Sequence, residues 1–454
     1  MSDSNSVTSD RGTLEEIRDN GLMAVGMPKG LEKIYDYESG GHHPVHLGEL
    51  LNGRYKVIHK LGSGGYANVW LCSDDTSISP RYFAVKIIMA EGSIVNCPEL
   101  LVNKLVELGI GSGPLAEHFC LPLYTFNING PNGHYYCFVY PVLGPRVSRL
   151  LNIERSPNPG SVLRKLSLQV SEALSTLHSH GICHGDLRPA NILTRITGLD
   201  GLSEDQVFEA LGSPVTTKVT ALDGDPHDEI TAPQYLVYPI CWDDVELTTL
   251  GAEFISEQAC IIDFGESFDV TNPPEDMGIP QVYCSPEYTL DRIVDIGCDI
   301  WSLGCTIFEI RTGRKLFDTF DNDQDEYLWK MTMILGKLPE LWWSQTWIAR
   351  KTIFEDNTDV EGRVVEVPQQ LRPPEDGKPE IERTIVQVAE PRSIKEAIAR
   401  GLFYYNRNGP GGVHLEIPEL EVELLADLLA KVLKYDPNER LTARQISEHA
   451  WFKM

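Results

Sequence analysis

The chain has 454 residues, 42% of them hydrophobic, and sets 66 acidic side chains against 39 basic ones for a formal charge of −27. That length holds roughly two or three domains, or one large two-lobed unit with its own core. The acidic balance argues against direct nucleic-acid binding and towards basic partners. No apolar run approaches the ~18–20 residues of a membrane span, and the opening MSDSNSVTSDRG has neither the basic start nor the apolar stretch of a signal peptide. The expected setting is therefore the cytoplasm or nucleus, with no membrane contact. Ten cysteines lie far apart without a CxxC pair, the pattern of reduced, partly buried thiols.

In chain order, residues 1 to about 22 are polar and short of aromatics and read as a disordered tail, and the segment to residue 37 as disordered or extended. From Tyr55, YKVIHKLGSGGYANVWLCSD reads as two β-rich runs around a glycine turn. RYFAVKIIMA follows as a third strand and ELLVNKLVELG as a helix. YYCFVYPVLG at Tyr135–Gly144 is a buried strand closed by Gly-Pro, which sets a boundary between a β-rich lobe over 38–144 and a mainly helical one over 145–454. Arg164–Ser179 and Ile300–Arg311 space their apolar residues at helical intervals. Two long segments, 196–258 and 318–419, interrupt the second lobe. The latter includes the Pro- and charge-rich IFEDNTDVEGRVVEVPQQLRPPEDGKPE. Loops of that length are usually functional or disordered.

The chemistry is concentrated in HGDLRPAN (His184–Asn191) and IIDFGE (Ile261–Glu266). Phosphoryl transfer asks a protein for a carboxylate to orient the attacking hydroxyl, a cation on the phosphate, and oxygen ligands for magnesium. Asp186 is the candidate for the first and Arg188 for the second. Asn191 and Asp263 are the candidate Mg2+ ligands. Asp and Asn also favour ordinary turns, but HxDxxxxN followed by DFG after an apolar strand is a jointly rare pattern.

Upstream, Leu61, Gly62, Ser63, Gly64, Gly65, Tyr66, Ala67, Asn68 and Val69 form a glycine-rich run whose backbone N–H groups could approach phosphates closely. Ala67 stands where a third glycine is usual. On the next predicted strand Lys86 is spaced to meet the α- and β-phosphates of ATP, and Ala84 and Val69 to pack on its base. Glu99 is the candidate partner of Lys86, with Glu107 as the alternative.

LGSGGYANV, AVK, HGDLRPAN, DFG, CSPEY (Cys284–Tyr288), DIWSLGC (Asp299–Cys305) and KYDPNERLTA (Lys434–Ala443) appear in the order found in eukaryotic protein kinases, which the chain resembles over most of residues 53–454. ESGGHHPVHLGELLNGRYKVIHKLG (Glu38–Gly62) resembles the entry segment of the SR-protein-specific kinases. The resemblance implies an α+β bilobal fold, a monomer, ATP and Mg2+ as cofactors, and transfer to serine or threonine in Arg/Ser-rich protein segments. It implies too that Tyr140 to Leu143 form the hinge against adenine, that Glu287 pairs with Arg440, and that Asp299 anchors the catalytic loop. Asp321, Asp323, Asp325 and Glu326 are the carboxylates available to grip arginines, although Met333 falls where the family carries an acid.

Departures from the family pattern are as telling. Gly185 replaces an arginine that would clamp an activation-loop phosphate, which implies activity without a phosphate at Ser267 or Thr271. Arg188 replaces a lysine, and its planar head sits differently on a phosphate. Two other readings fit the loop: a small-molecule phosphotransferase, which also carries HGD, and a catalytically weak pseudokinase scaffold.

Overall fold

The structure is a computed structural model that describes residues 21–25, 30–95, 97–113, 115–147, 158–222, 227–242, 245, 254–360, 362–367, 391–405 and 412–454. The chain divides into two compact units. The first comprises 1–97, 120–144 and 195–256, and the second 98–119, 145–194 and 257–454.

In the first unit the β-branched and aromatic runs form a six-stranded antiparallel sheet. Its order is Leu50–Leu51, Tyr55–Ser63, Ala67–Asp74, Tyr82–Ile88, Gly133–Pro141, Tyr124–Gly130. Alternate side chains of these strands, including Tyr55, Val57, Trp70, Phe83, Val85, Tyr135 and Val139, make its core. This is the face that a period of two predicts.

The 195–256 segment belongs to this first unit, whereas sequence reading places it in the second lobe. The reason is local pairing. Leu22–Ala24 pairs with Thr216–Ala221, which pairs in turn with Tyr235–Val237, and Val237 is buried in the sheet's core. Tyr82 N–H donates to Asp200 at 3.0 Å and its hydroxyl to Leu202 O at 2.7 Å. Glu204 accepts from Lys56 at 2.9 Å and from Ser73 at 3.0 Å.

The segment read as disordered or extended up to residue 37 therefore includes a strand and, at Ile34–Asp36, a 3-10 turn. It also carries Glu32, which is buried in an ion pair with Lys60 and accepts from the Tyr37 hydroxyl at 2.7 Å. The tail's residues 1–20 lie outside the described residues.

The second unit is helical. Pro159–Ser179 buries Leu163, Leu166, Val170, Leu174 and Leu177 on one face, and Ile296–Thr312 is buried almost all round. A Cβ on Gly304 would lie 2.8 Å from Leu433 and Val432, so this helix packs at a distance only glycine permits. The helix Leu101–Glu107 groups here, and not with the β-rich lobe where sequence reading puts it. The segment around it docks on this unit: Lys104 Nζ donates to Asp269 at 2.6 Å, and the His118 ring lies 2.9 Å from Ala259 O.

The 318–419 segment is structured where described. It has helices Gln324–Leu335 and Ile394–Ala399, and the hairpins Phe354–Thr358/Val364–Glu366 and Leu402–Tyr405/Gly412–Leu415. Its proline-rich stretch over 368–390 lies outside the described residues. All ten cysteines are free thiols and all but Cys241 are buried. Among the described residues no helix is long and apolar enough to cross a membrane.

Candidate active site

Asp299, in the first turn of the Ile296–Thr312 helix, is 1% exposed. Its two oxygens accept from the backbone N–H groups of His184 at 2.7 Å and Gly185 at 3.0 Å, and the His178 ring nitrogen lies 3.0 Å away. Burial alone would raise its pKa, but these partners outweigh burial and hold the carboxyl below its usual range. A charged group inside the helical core thus fixes the start of the catalytic loop. Pro189 then opens the short 3-10 turn Pro189–Asn191, as a residue with fixed φ and no donor can.

On that loop three predicted residues meet. Arg188 Nε donates to both Asp186 oxygens at 2.9 and 3.0 Å, and Asn191 Nδ2 donates to Asp186 Oδ2 at 2.7 Å and to its backbone oxygen at 2.8 Å. Burial raises the Asp186 pKa above the ordinary value, and Arg188 and Asn191 act in the opposite sense. Because the Asn191 nitrogen is committed to Asp186, its carbonyl oxygen is the atom left to act as a ligand.

Ile262 N–H donates to Asn191 O at 3.0 Å, which ties the DFG segment to the loop. Asp263 adopts φ +63°, a left-handed conformation that aspartate tolerates better than most residues. Phe264 is buried with its ring 5.3 Å from that of His184. Glu99 is 3% exposed in the turn Pro98–Leu100, just ahead of the helix it was predicted to open. A Cβ on Gly265 would lie 3.4 Å from Glu99 Oε2 and 3.5 Å from Asp263 Oδ1, so the two carboxylates flank one glycine. The alternative, Glu107, is exposed.

The second unit thereby assembles Glu99, Asp186, Arg188, Asn191 and Asp263. The amide oxygen of Asn191 and the carboxylate of Asp263 are hard oxygen donors, the class that Mg2+ selects. The charges of Asp186 and Asp263 are close enough to push up the pKa of Glu266, after burial of that group itself, and such a concentration of carboxylates suits a cation.

The remaining candidates come together in the first unit. Gly62 to Val69 spans the turn between two strands, with Ser63 opposite Asn68 and Gly64 N–H donating to Ala67 O at 2.9 Å. Tyr66 at the tip is 68% exposed, whereas Ala67 and Asn68 are buried. Lys86 is the cross-strand partner of Val69 and Phe138, and Ala84 that of Leu71 and Tyr140. The register therefore puts the phosphate-facing lysine and the predicted adenine-side residues Val69, Ala84 and Tyr140 on three adjacent strands, with Leu143 buried just beyond.

The Protein kinase domain family matches residues 55–199 and 254–452 of this chain. The chain belongs to the protein kinase family. The unmatched stretch 200–253 falls inside the segment that packs on the β-rich unit.

Relatives of this kinase include the serine/threonine-protein kinase SRPK of Physarum polycephalum, 25% identical over 92% of this chain and 91% of the relative. The human dual specificity protein kinase CLK1 is 24% identical over 94% of this chain and 71% of the relative. Human SRSF protein kinase 3 is 35% identical over a shorter stretch, 35% of this chain and 28% of the relative. The protein is a serine/threonine protein kinase of the SR-protein-kinase-like kind, with the bilobal α+β kinase fold.

Two kinase features were legible before the structure. Glu287 receives two 2.6 Å bonds from Arg440, both side chains buried, and Asp299 holds the catalytic loop as described. Glu266 was missed as a functional residue. It accepts from Gly278 N–H at 2.9 Å across the activation segment, and its place directly after DFG was the available signal. The same segment is fixed by Ser267 Oγ donating to His184 O at 2.8 Å and by the Tyr288 hydroxyl donating to Asp276 at 2.8 Å.

The carboxylates expected to grip arginines are largely engaged elsewhere. Asp323 caps the Gln324–Leu335 helix, Asp325 accepts from the Trp347 indole at 2.8 Å, and Glu326 accepts from Phe320 N–H at 3.0 Å.

Proposed function

We propose that this kinase transfers the γ-phosphoryl group of ATP to serine or threonine hydroxyls in Arg/Ser-rich protein segments, and does so without a phosphate on its own activation segment. The observation that carries the reading is the Asp186, Arg188 and Asn191 constellation, held on a loop fixed by buried Asp299.

Asp186 orients the acceptor hydroxyl and takes its proton. Arg188 steadies Asp186 through Nε, which leaves its terminal guanidinium nitrogens to meet phosphate oxygens. Asn191 and Asp263 would hold Mg2+, Lys86 the α- and β-phosphates, and Glu99 would orient Lys86. Bound Mg–ATP supplies the reaction with a phosphoryl group whose charge is partly neutralised.

The Arg/Ser preference is supported by the names of the relatives, SRPK and SRSF protein kinase, and by a charge of −27 that attracts basic chains. Such substrates agree with a monomer acting in the cytoplasm or nucleus. Independence from phosphorylation is supported by Gly185, beside which the Glu266 backbone already fills the space a side chain would need. The test is Mg2+-dependent labelling of an Arg-Ser peptide by phosphatase-treated protein, with Asp186→Asn and Asp263→Ala alongside. Transfer that survives phosphatase and is lost in both variants supports the reading. Absent transfer, or collapse after phosphatase, overturns it.

A further inference from the structure

In the second unit a groove of about 740 Å3 opens beside the helix Gln324–Leu335. Its apolar floor includes Trp329, Met333 and Phe403, and its walls carry Arg314, Lys315, Lys330 and Arg400 against two carboxylates, Glu309 and Asp318. A net positive groove is out of character for a chain with 27 more acidic than basic side chains.

The carboxylates there do little to cancel the cations. Glu309 accepts from the Tyr283 hydroxyl at 2.6 Å, and burial pushes its pKa up, towards the neutral form. Asp318 lies 3.5 Å from Lys315, with both groups substantially exposed, a weak pairing in water. Lys330 lies 3.5 Å from Glu326.

Arg314 is the decisive residue. Its Nη2 donates to the carbonyls of Ala397 and Gly401, each at 2.9 Å, and its guanidinium stands 5.8 Å from the centre of the Phe308 ring. Among the described residues no carboxylate lies within ion-pair distance of it. Arg400 is near enough for its charge to reinforce the effect of burial on Arg314. Two guanidinium groups held together over an apolar floor leave a standing positive potential. A carboxylate relieves it through charge-assisted, often bidentate hydrogen bonds, and an arginine-rich segment would aggravate it.

We propose that this groove docks a partner protein through an acidic peptide segment anchored by a large apolar side chain. The site differs in chemistry from the Arg/Ser-rich acceptor of the proposed reaction, so the kinase would hold its partner and its acceptor by opposite charges.

The experiment measures anisotropy of a labelled peptide bearing Glu and Asp around Leu and Phe, added to the intact protein at low and moderate salt. The isosteric Gln/Asn peptide and an Arg-Ser peptide of equal length serve as comparisons. The proteins are wild type, the double variant Lys315→Glu/Lys330→Glu, and Arg400→Glu. The expected result is binding of the acidic peptide that weakens with salt and falls by about tenfold or more in both variants. Turnover of a short Arg-Ser peptide should be unchanged, since none of these residues belongs to the phosphoryl-transfer machinery.

Equal binding of the Gln/Asn peptide, unaltered binding by the variants, or competition by the Arg-Ser peptide overturns the proposal. The segment 368–390 carries five acidic and three basic residues. A gain of about tenfold in peptide affinity on replacing it with a Gly-Ser linker would assign the groove to the chain itself, and would equally overturn it. Peptide binding without any phosphoryl transfer would sink the reaction proposed above while leaving the docking proposal standing.

Discussion

A Cβ placed on Gly185 would stand 2.1 Å from the carbonyl oxygen of Glu266, and Gly185 itself sits at φ +82°. The position is closed to any side chain on two independent grounds, contact and backbone conformation. Restoring the arginine of phosphate-gated relatives would therefore not restore a switch. Gly185→Ala and Gly185→Arg are both expected to displace Glu266 and with it the hydrogen bond to Gly278. Each should lower stability by about 2–4 kcal/mol and turnover by roughly tenfold or more. Chemical denaturation with parallel peptide-kinase assays measures both quantities. A Gly185→Arg protein that is stable, active and newly dependent on phosphorylation would contradict this account.

The acid side of the pH profile follows from Asp186. Its pKa is raised by burial and restrained by Arg188, and its ionised form is the one that accepts the hydroxyl proton. Activity is therefore lost, as pH falls, at a higher pH than for an exposed aspartate. Removing the restraining cation in Arg188→Met raises the Asp186 pKa further, so the acid limb of kcat/KM moves to higher pH as well as to lower rate. Arg188→Lys keeps the charge and should move the limb less. Profiles of kcat/KM against pH for the three proteins decide the point, and an acid limb that stays fixed in Arg188→Met would show that another group controls it.

Residues whose roles are set by short sequence separation were readable in advance. His184 to Asn191 fold on themselves, and the Asp186, Arg188 and Asn191 contacts span at most five positions. Strand register did the same for Val69, Ala84 and Lys86, because adjacent antiparallel strands bring predictable partners together. What was not legible depends on distant partners. Leu22–Ala24 is three residues long and finds its pairing partner nearly two hundred positions away, with no periodicity to announce it. The acidic run at Asp321–Glu326 looked like a ligand for arginine. Its neighbours Trp347 and Phe320 take up Asp325 and Glu326, and the cations of the adjoining groove come from Arg314 and Arg400, well outside the run.

Glu287 and Arg440 form a closed pair in the second unit. Both side chains are almost fully buried, and Arg440 also donates to Gly297 O at 2.9 Å and to Lys434 O at 2.8 Å. Arg440→Met leaves the Glu287 charge and two carbonyls without donors, which should cost about 3–5 kcal/mol. Denaturant unfolding with a constant slope would report it. Glu287→Gln should cost less, because an amide oxygen can still accept from the guanidinium.

The buried pair Lys60–Glu32 gives a prediction with a definite sign in pH. Lys60 is 0% exposed, stacks 5.1 Å from the Trp70 ring and finds its counter-ion only in the N-terminal segment. Burial lowers the Lys60 pKa below its ordinary 10.5, while Glu32 acts to raise it. In Glu32→Gln the raising influence is gone, so the folded pKa of Lys60 drops further. Between that value and 10.5 the unfolded chain binds a proton that the folded chain does not, and stability then rises with pH. Glu32→Gln should therefore be destabilised by about 3–5 kcal/mol near neutrality and recover part of the loss on moving towards alkaline pH. Wild type should show a weaker rise. The double variant Glu32→Leu/Lys60→Met, which removes both charges, should unfold close to wild type at neutral pH without this pH dependence. Urea titrations of the three proteins across neutral and alkaline pH test the scheme, and a Glu32→Gln protein as stable as wild type at neutral pH would show that the N-terminal segment does not seal Lys60.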